Sequence, residues 1–350
     1  MLDLLRFFFE ERPALHVIAA GSLLEAKIRS EGLSVPVGRV EYRCLYPLDF
    51  FEFLDAIGET RIHSALGTYS PDAPLPPSIH AHANELFALF TIIGGMPEVV
   101  ETYAAAHSFV ACRGVSSSLL TAFADDVYKY TSHANARYVH YLIDHIPLIA
   151  GERTSYEKLG RGVYHSRELS RAREILEYAG VITSVAATES RALPLVPKLK
   201  RPRKYLFLDS GLIAFRSGIQ EESFAETVLN DGFRGRFAEH IVGQYLHAMT
   251  GEHTDLLYWT REKTEGRAEI DFCFSYKGRA VGVEVKAGAP TTLRSLLSFG
   301  NLVPRALLVR ISTAPLAIEH LSHQSHDVRL LSLPFYMLPR MEHFLHTLCT

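Results

Sequence analysis

The sequence predicts a multidomain chain of α and α/β units, in which helical segments precede a C-terminal α/β domain with one acidic face. Three observations carry that expectation. Residues 268–288, AEIDFCFSYKGRAVGVEVKAG, alternate apolar and polar residues on either side of Lys277-Gly278, the pattern of a β-hairpin. Helical periodicity recurs from Ala83 to Ala179. A long helix, Phe233–Met249, precedes the hairpin, and a helix–strand unit, Thr291–Asn301 and Ala306–Ile311, follows it.

From the N-terminus, Leu2–Glu11 reads as an amphipathic helix and Leu15–Ala20 (LHVIAA) as a strand apolar on both faces, followed by a helix at Leu23–Ile28. That is one parallel-sheet unit without visible neighbours, so it is expected to be covered by a protein partner, by self-association or by the N-terminal helix, or to be left marginal. Leu45–Phe50 leads into a helix through Phe53, and the proline-rich Tyr69–Pro77 reads as an exposed loop. Helices are expected at Ala83–Ile92, Met96–Ala106 and Ser117–Tyr130, with Gly94-Gly95 as a break. Helices at Asn135–Ile149, Ser155–Leu159 and Arg167–Ala179 follow, with strands at Val181–Ala186 and Leu193–Pro197; three helices and a small hairpin suggest a winged helix. Ser166 suits the N-cap of the third helix and Gly180 its C-terminal stop. Arg167, Arg171 and Arg173 lie on or near its exposed side, and Lys198, Lys200, Arg201, Arg203 and Lys204 follow the wing. Such a cluster suits contact with DNA phosphates, and equally suits a solvated face with a basic linker. Tyr205–Asp209 reads as a strand end and turn, because no G-x-x-x-x-G-K-[ST] loop accompanies it.

In the C-terminal part, Phe237, Ile241 and Tyr245 form the core stripe of the long helix, with Glu239 at the stripe's edge. A strand at Asp255–Thr260 comes next. In the hairpin, Ala268, Ile270, Phe272, Phe274 and Tyr276 are expected on one face, with Glu269 and Asp271 on the other. A two-residue turn at Lys277-Gly278 pairs Tyr276 with Arg279, which sets Asp271 across from Glu284 and Glu269 across from Lys286. Two opposed carboxylates repel. A divalent cation such as magnesium would offset that repulsion, with Lys286 able to steady a phosphate or a nucleophilic water. The plainer alternative is a solvated face with a Glu269–Lys286 ion pair. A strand at Val328–Met337 and a helix at Arg340–Leu348 close the chain.

Composition sets outer bounds. The chain has 350 residues, 47% of them hydrophobic and 21% charged, with a net charge of −3, so a nucleic-acid surface would have to be a local patch. Cys44, Cys112, Cys273 and Cys349 lack C-x-x-C spacing, which fits a reducing compartment and no zinc ribbon. His320-x-x-His323-x-x-His326 reads as polar positions drifting round a helix rather than a metal cluster. No apolar run has the length of a membrane span and LLRFFF is no convincing signal peptide, so a cytoplasmic location is expected.

Glu239, Asp271 and Glu284-x-Lys286 match the PD-(D/E)xK nuclease pattern of helix Glu, strand Asp and ExK strand. The stretches AAGSLLE (Ala19–Glu25), GRVEYRCLYPLDFFEFL (Gly38–Leu54), GGMPEVV (Gly94–Val100), KYLFLDSGL (Lys204–Leu212), YWTREKTEGRAEIDF (Tyr258–Phe272) and VEVKAG (Val283–Gly288) extend the likeness along nearly the whole chain. Together they resemble AAA-type ATPases carrying the C-terminal domain of unknown function 4143. The resemblance implies an N-terminally truncated member: a partial AAA core without Walker A or B at 1–60, a helical subdomain at 61–132, a winged-helix-like unit at 133–200, and a restriction-endonuclease-like α/β domain at 201–350. It places Ser22 near a sensor position and makes Arg39 a sensor or finger, yet ATP would bind only if a P-loop is supplied elsewhere. It implies a magnesium-dependent nuclease-like site of Glu239, Asp271 and Glu284 with Lys286 as the catalytic group, delivered to DNA by the winged helix. The alternatives are a non-catalytic DNA- or protein-binding remnant, and an ATPase whose P-loop lies in a missing upstream segment.

Overall fold

The computed structural model describes residues 5–21, 38–128, 133–160, 162–219, 232–251, 254–261, 268–288, 293–323 and 326–349. Helix α1 spans Leu5–Glu11. The sequence predicts a buried strand at Leu15–Ala20; these residues run outside any sheet, and Ile18 is 94% exposed. A strand is held by ladder hydrogen bonds to a neighbour, and among the described residues none pairs with this segment. The helix expected at Leu23–Ile28 lies outside the described residues.

Helices α2 (Phe50–Ala56), α3 (Thr60–Thr68), α4 (Pro77–Ile93), α5 (Pro97–Ala106), α6 (Phe109–Tyr128) and α7 (His133–Ile149) build the helical body. Asp49 starts α2 through a reciprocal cap: its Oδ1 accepts from the N–H groups of Phe51 and Glu52 at 2.8 and 2.9 Å, while Glu52 Oε2 accepts from Asp49 N–H at 2.8 Å. Phe50, Phe53, Phe87 and Phe90 meet between α2 and α4 with ring centroids 5.2–6.4 Å apart. Helix α4 stops at Gly94, whose φ is +80°.

The next residue, Gly95, joins three distant parts of the chain. Its carbonyl accepts from Leu48 N–H at 2.8 Å. Its N–H donates to Asp209 Oδ2 at 2.7 Å. Asp209 Oδ1 in turn accepts from Leu212 N–H at 3.2 Å and so caps helix α10 (Ser210–Arg216). The strand end and turn expected at Asp209 is therefore a strand end and a helix start. The packing leaves no room for side chains. A Cβ on Gly95 would overlap the Leu48 carbonyl oxygen, and one on Gly211 the Ile93 carbonyl oxygen.

After α7 come strand β1 (Arg153–Thr154), helices α8 (Tyr156–Leu159) and α9 (Ser166–Tyr178), and strands β2 (Ile182–Thr188), β3 (Pro197–Lys198) and β4 (Arg203–Phe207). Leu169, Ala172 and Leu176 of α9 are buried, and Gly180 follows it at φ +68°. His165 rather than Ser166 occupies its N-cap. The return strand expected at Leu193–Pro197 is instead β4, antiparallel to β2 through Ile182↔Phe207 and Val185↔Lys204. Tyr205, Leu206 and Phe207 are all buried, whereas Leu193 and Val196 are exposed, so apolar burial selects the later segment.

The C-terminal part comprises helix α11 (Gly232–Thr250), strands β5 (Leu257–Thr260), β6 (Glu269–Tyr276) and β7 (Arg279–Val285), helix α12 (Arg294–Leu302), strands β8 (Leu307–Ser312), β9 (Ala317–His323) and β10 (His326–Pro334), a 3-10 segment Phe335–Arg340, and helix α13 (Met341–Cys349). One sheet of ten strands among the described residues runs β1-β4-β2-β5-β6-β7-β8-β10-β9, with β3 beside β2. The boundary expected at 200/201 thus falls between two strands that both pair with β2, and β2 also runs parallel to β5. Lys277 and Gly278 have φ +45° and +73°, a type I′ turn, and the predicted pairing of Tyr276 with Arg279 holds through Phe272↔Val283. The predicted face of β6 does not hold throughout. Register shifts against β5 between Leu257↔Cys273 and Trp259↔Ile270, so Asp271 and Phe272 together face one residue. Phe272 and Phe274 consequently join one core, while Ile270 and Cys273 join the other with Phe299 of α12. His320, His323 and His326 lie on the β9–β10 hairpin, not on a helix, with His323 paired to His326.

Gly211→Ala is expected to destabilise the protein by about 3 kcal/mol, the cost of overpacking against backbone that cannot yield. Gly114→Ala, in the exposed middle of α6 with nothing within 4 Å, should stabilise it by about 1 kcal/mol; urea denaturation of both variants checks the pair. Burial pushes the imidazole of His240 in α11 down to about 3. The unfolded chain takes up that proton near the ordinary value of 6.5. Stability is therefore complete above pH 6.5 and falls as pH drops toward 3, by about 1.4 kcal/mol per unit. His240→Leu should flatten this part of the pH–stability curve.

Candidate functional site

The acidic residues of the hairpin and of α11 do converge, but around a lysine that the sequence places elsewhere. Lys204 sits on β4 opposite Arg153 of β1, and its side chain is only 2% exposed. Its Nζ lies 2.8 Å from Glu239 Oε2, 3.5 Å from Asp271 Oδ1 and 3.6 Å from Glu269 Oε1, and donates to the Asp271 carbonyl at 3.4 Å. The rings of Phe272 and Tyr258 flank it at 5.4 and 5.6 Å. Burial alone would strip its proton; the charges of Asp271, Glu239 and Glu269 outweigh that and raise its pKa. Glu239 is pushed up to about 7 by its own burial and by the Asp271 charge, with Lys204 opposing.

Asp271 links this cluster to a second group. Its Oδ2 accepts from Val285 N–H at 2.8 Å, just past the ladder pair Phe272↔Val283. The bulge in β6 aims Asp271 and Phe272 at the same lysine. Next to Val285, Glu284 has a side chain only 8% exposed; its Oε1 meets Lys286 Nζ at 2.6 Å. Its other oxygen, Oε2, is buried with no hydrogen-bond partner among the described residues. Burial raises the Glu284 pKa, with Lys286 opposing and the Asp271 charge adding to the rise.

The four predicted residues thus divide. Asp271 and Glu284 are neighbours, Glu284 and Lys286 are paired, and Glu239 is engaged with Lys204. Glu269 pairs with Arg153 at 2.8 Å and with Lys204, not with Lys286 as the extended register predicts. Among the described residues no three acidic, histidine or cysteine side chains close around a metal position. Magnesium is commonly held by one or two carboxylates completed by water and phosphate oxygens, so the pair Asp271–Glu284 fits it, and the orphaned Glu284 Oε2 is a donor of the right hardness.

Arg153 escapes sequence reasoning as a site residue, and Lys204 is expected there as a phosphate contact rather than as the partner of these carboxylates. Lys204 follows Arg203 at the head of the run KYLFL, so its only sequence signal is a charge at the edge of an apolar segment, where burial without a partner would be costly. Expectations for the basic cluster change with it. Lys204 is buried and turned to the carboxylates, so it cannot contact phosphates. Arg173 is buried too, bonded to Glu177, within 3.3 Å of Glu174 and 3.4 Å from Ser184 Oγ of β2, so it faces the sheet rather than solvent. Lys198 and Arg201 both pair with Glu189. Arg167, Arg171 and Lys200 are exposed and Arg203 half-buried. Arg39 pairs with Glu10 at 3.0 Å, and Ser22 lies outside the described residues. A cavity of about 310 Å³ lies apart from this chemistry, lined by Tyr46, Phe50, Phe87, Gln244, Tyr245 and Met249 among others.

Residues 84–223 match a family described as a domain of unknown function (DUF8612), and residues 234–330 match a second, the domain of unknown function DUF4143 that the sequence resembles. No curated protein matches the chain. The acidic cluster is built across the two matched segments: Arg153 and Lys204 come from the first, Glu239, Glu269, Asp271, Glu284 and Lys286 from the second.

Arg173→Ala leaves Glu177 without its buried partner and is expected to cost about 3 kcal/mol of stability in urea denaturation, as truncation of a buried ion pair does. Arg171→Ala, at an exposed position two residues before it, should stay within about 0.5 kcal/mol.

Proposed function

We propose that the C-terminal segment carries a divalent-cation-dependent nuclease-like site, presented to DNA by the preceding helix-and-wing unit. The observation that carries this reading is the placement of Asp271 beside Glu284, whose buried Oε2 has no partner, with Lys286 at 2.6 Å from the other oxygen. The order of α11, β5, β6, β7, α12 and β8 supports it: Asp271 on the second strand, Glu284-x-Lys286 on the third, Glu239 on the helix before them. Strands β7 and β8 run parallel across α12, with Glu284 in register with Arg310. The order α7, β1, α8, α9, β2, β4, with β1-β4-β2 antiparallel, supports the winged-helix part.

In this reading Asp271 and Glu284 hold the cation, and Glu239 acts from outside it through Lys204. A bound magnesium supplies Lewis acidity at a phosphoryl oxygen. Lys286 keeps Glu284 oriented in the free protein. With substrate present its ammonium orients the attacking water or offsets charge developing on the phosphate. Arg167, Arg171 and Lys200 provide exposed phosphate contacts, which carry position rather than sequence. The partial AAA core belongs to the same proposal, and nucleotide chemistry is assigned to no residue of this chain.

Plasmid nicking in magnesium tests the reading. The unsubstituted protein should convert supercoiled DNA to open circles, and Asp271→Ala and Lys286→Ala should each slow this by at least about a hundredfold. Arg167→Glu with Arg171→Glu should weaken DNA binding and flatten its salt dependence. Equal background cleavage by all the proteins would leave the alternative: a binding module with a nuclease-like architecture.

A further inference from the structure

Four carboxylates, Glu239, Glu269, Asp271 and Glu284, gather with three cations, Lys204, Lys286 and Arg153. The cations divide unevenly. Lys286 and Arg153 reach the cluster from its partly open margin, with side chains 30% and 51% exposed, and can swing away into water. Lys204 cannot. It is buried between the rings of Phe272 and Tyr258, and its strand is fixed by pairing to both β1 and β2. It touches the carboxylates of Glu239, Asp271 and Glu269 together, the kind of multiple oxygen contact that a bound cation makes.

We propose that Lys204 is a tethered counter-cation which stands in for a metal at the Glu239–Asp271 end of the cluster and sets the divalent-cation affinity of the whole site. The inference rests on the metal-binding part of the reading above and concerns a residue outside that catalytic set. Asp271 is the shared element. One of its oxygens faces Lys204 and the other is fixed on Val285 N–H beside Glu284, whose buried Oε2 has no hydrogen-bond partner among the described residues and is independently suited to accept a cation. While Lys204 is present, a divalent ion at Glu284 finds Asp271 already partly neutralised and meets a positive charge nearby, and both effects weaken binding. Lys204 is therefore a positioning residue with two consequences. The carboxylates remain folded together without metal, and the cation site is weak and depends on a phosphate ligand to complete it.

The test is manganese binding to the full chain by calorimetry, with thermal unfolding in manganese and in chelator, for the unsubstituted protein, Lys204→Met and Lys204→Met/Glu269→Gln. The double variant removes one charge of each sign, so it remains foldable if the single one is not. At least one should bind manganese about tenfold or more tightly than the unsubstituted protein, and should regain in manganese the melting temperature it loses in chelator. Adding Asp271→Asn should abolish both gains. No gain in affinity in either variant, no recovery by manganese, or a gain that survives Asp271→Asn would each overturn the proposal. The nicking assay separates the two readings. A gain in manganese affinity without any DNA cleavage keeps this inference and removes cleavage; magnesium-dependent cleavage without the gain does the reverse.

Discussion

Lys204 Nζ stands among three carboxylates from two elements, helix α11 and strand β6, and its charge is what allows them to be buried together. Without a cation, Glu239, Asp271 and Glu269 would repel across a poorly solvated gap, and α11 would not sit as it does on the sheet. The lysine belongs to β4, which pairs with β1 and β2, so the acidic face of the C-terminal segment is completed by a residue from another part of the chain. Backbone pairing of β2 with β5 and this one ammonium group act in the same direction, holding both segments in one arrangement.

A second junction does the corresponding work in the helical body. Gly94-Gly95, Leu48 and Asp209-Ser210-Gly211 come from three segments far apart in the chain. Their spacing in sequence had no visible reason. In three dimensions they interlock: Gly95 is bonded to Leu48 and to Asp209, and Gly94, Gly95 and Gly211 pass too close to their neighbours for any side chain. The buried carboxylate of Asp209, pushed up to about 6 by burial against the pull of the Gly95, Leu212 and Gly211 N–H groups, is an architectural group rather than a catalytic one.

Much of the C-terminal domain was legible because strand alternation, the Lys277-Gly278 turn and the amphipathic α11 are local signals. The hairpin register follows from the turn alone, and it holds as far as Phe272↔Val283. What the sequence conceals is non-local. The bulge opposite Tyr258 depends on how β5 meets β6, and it turns Ile270 away from Phe272 although they are two residues apart. The roles of Lys204 and Arg173 depend on burial that only tertiary packing decides; as letters they look like any other members of a basic cluster. Leu15–Ala20 shows the limit in the opposite direction. Its strong strand pattern forms no strand, because periodicity supplies a propensity and only a neighbouring edge supplies the ladder.

Strand β2 has partners on both edges: β4 and β3 on one side, β5 on the other. It is the point at which the sheet passes from the first matched segment into the second. A ladder of this kind transmits displacement as a plank does, with little give in its own plane. Division of the chain near residue 200 would part β4 from both β1 and β2, and β2 from β5, and leave several raw sheet edges prone to seek one another or a foreign strand. The two segments are better regarded as one mechanical piece than as beads on a string.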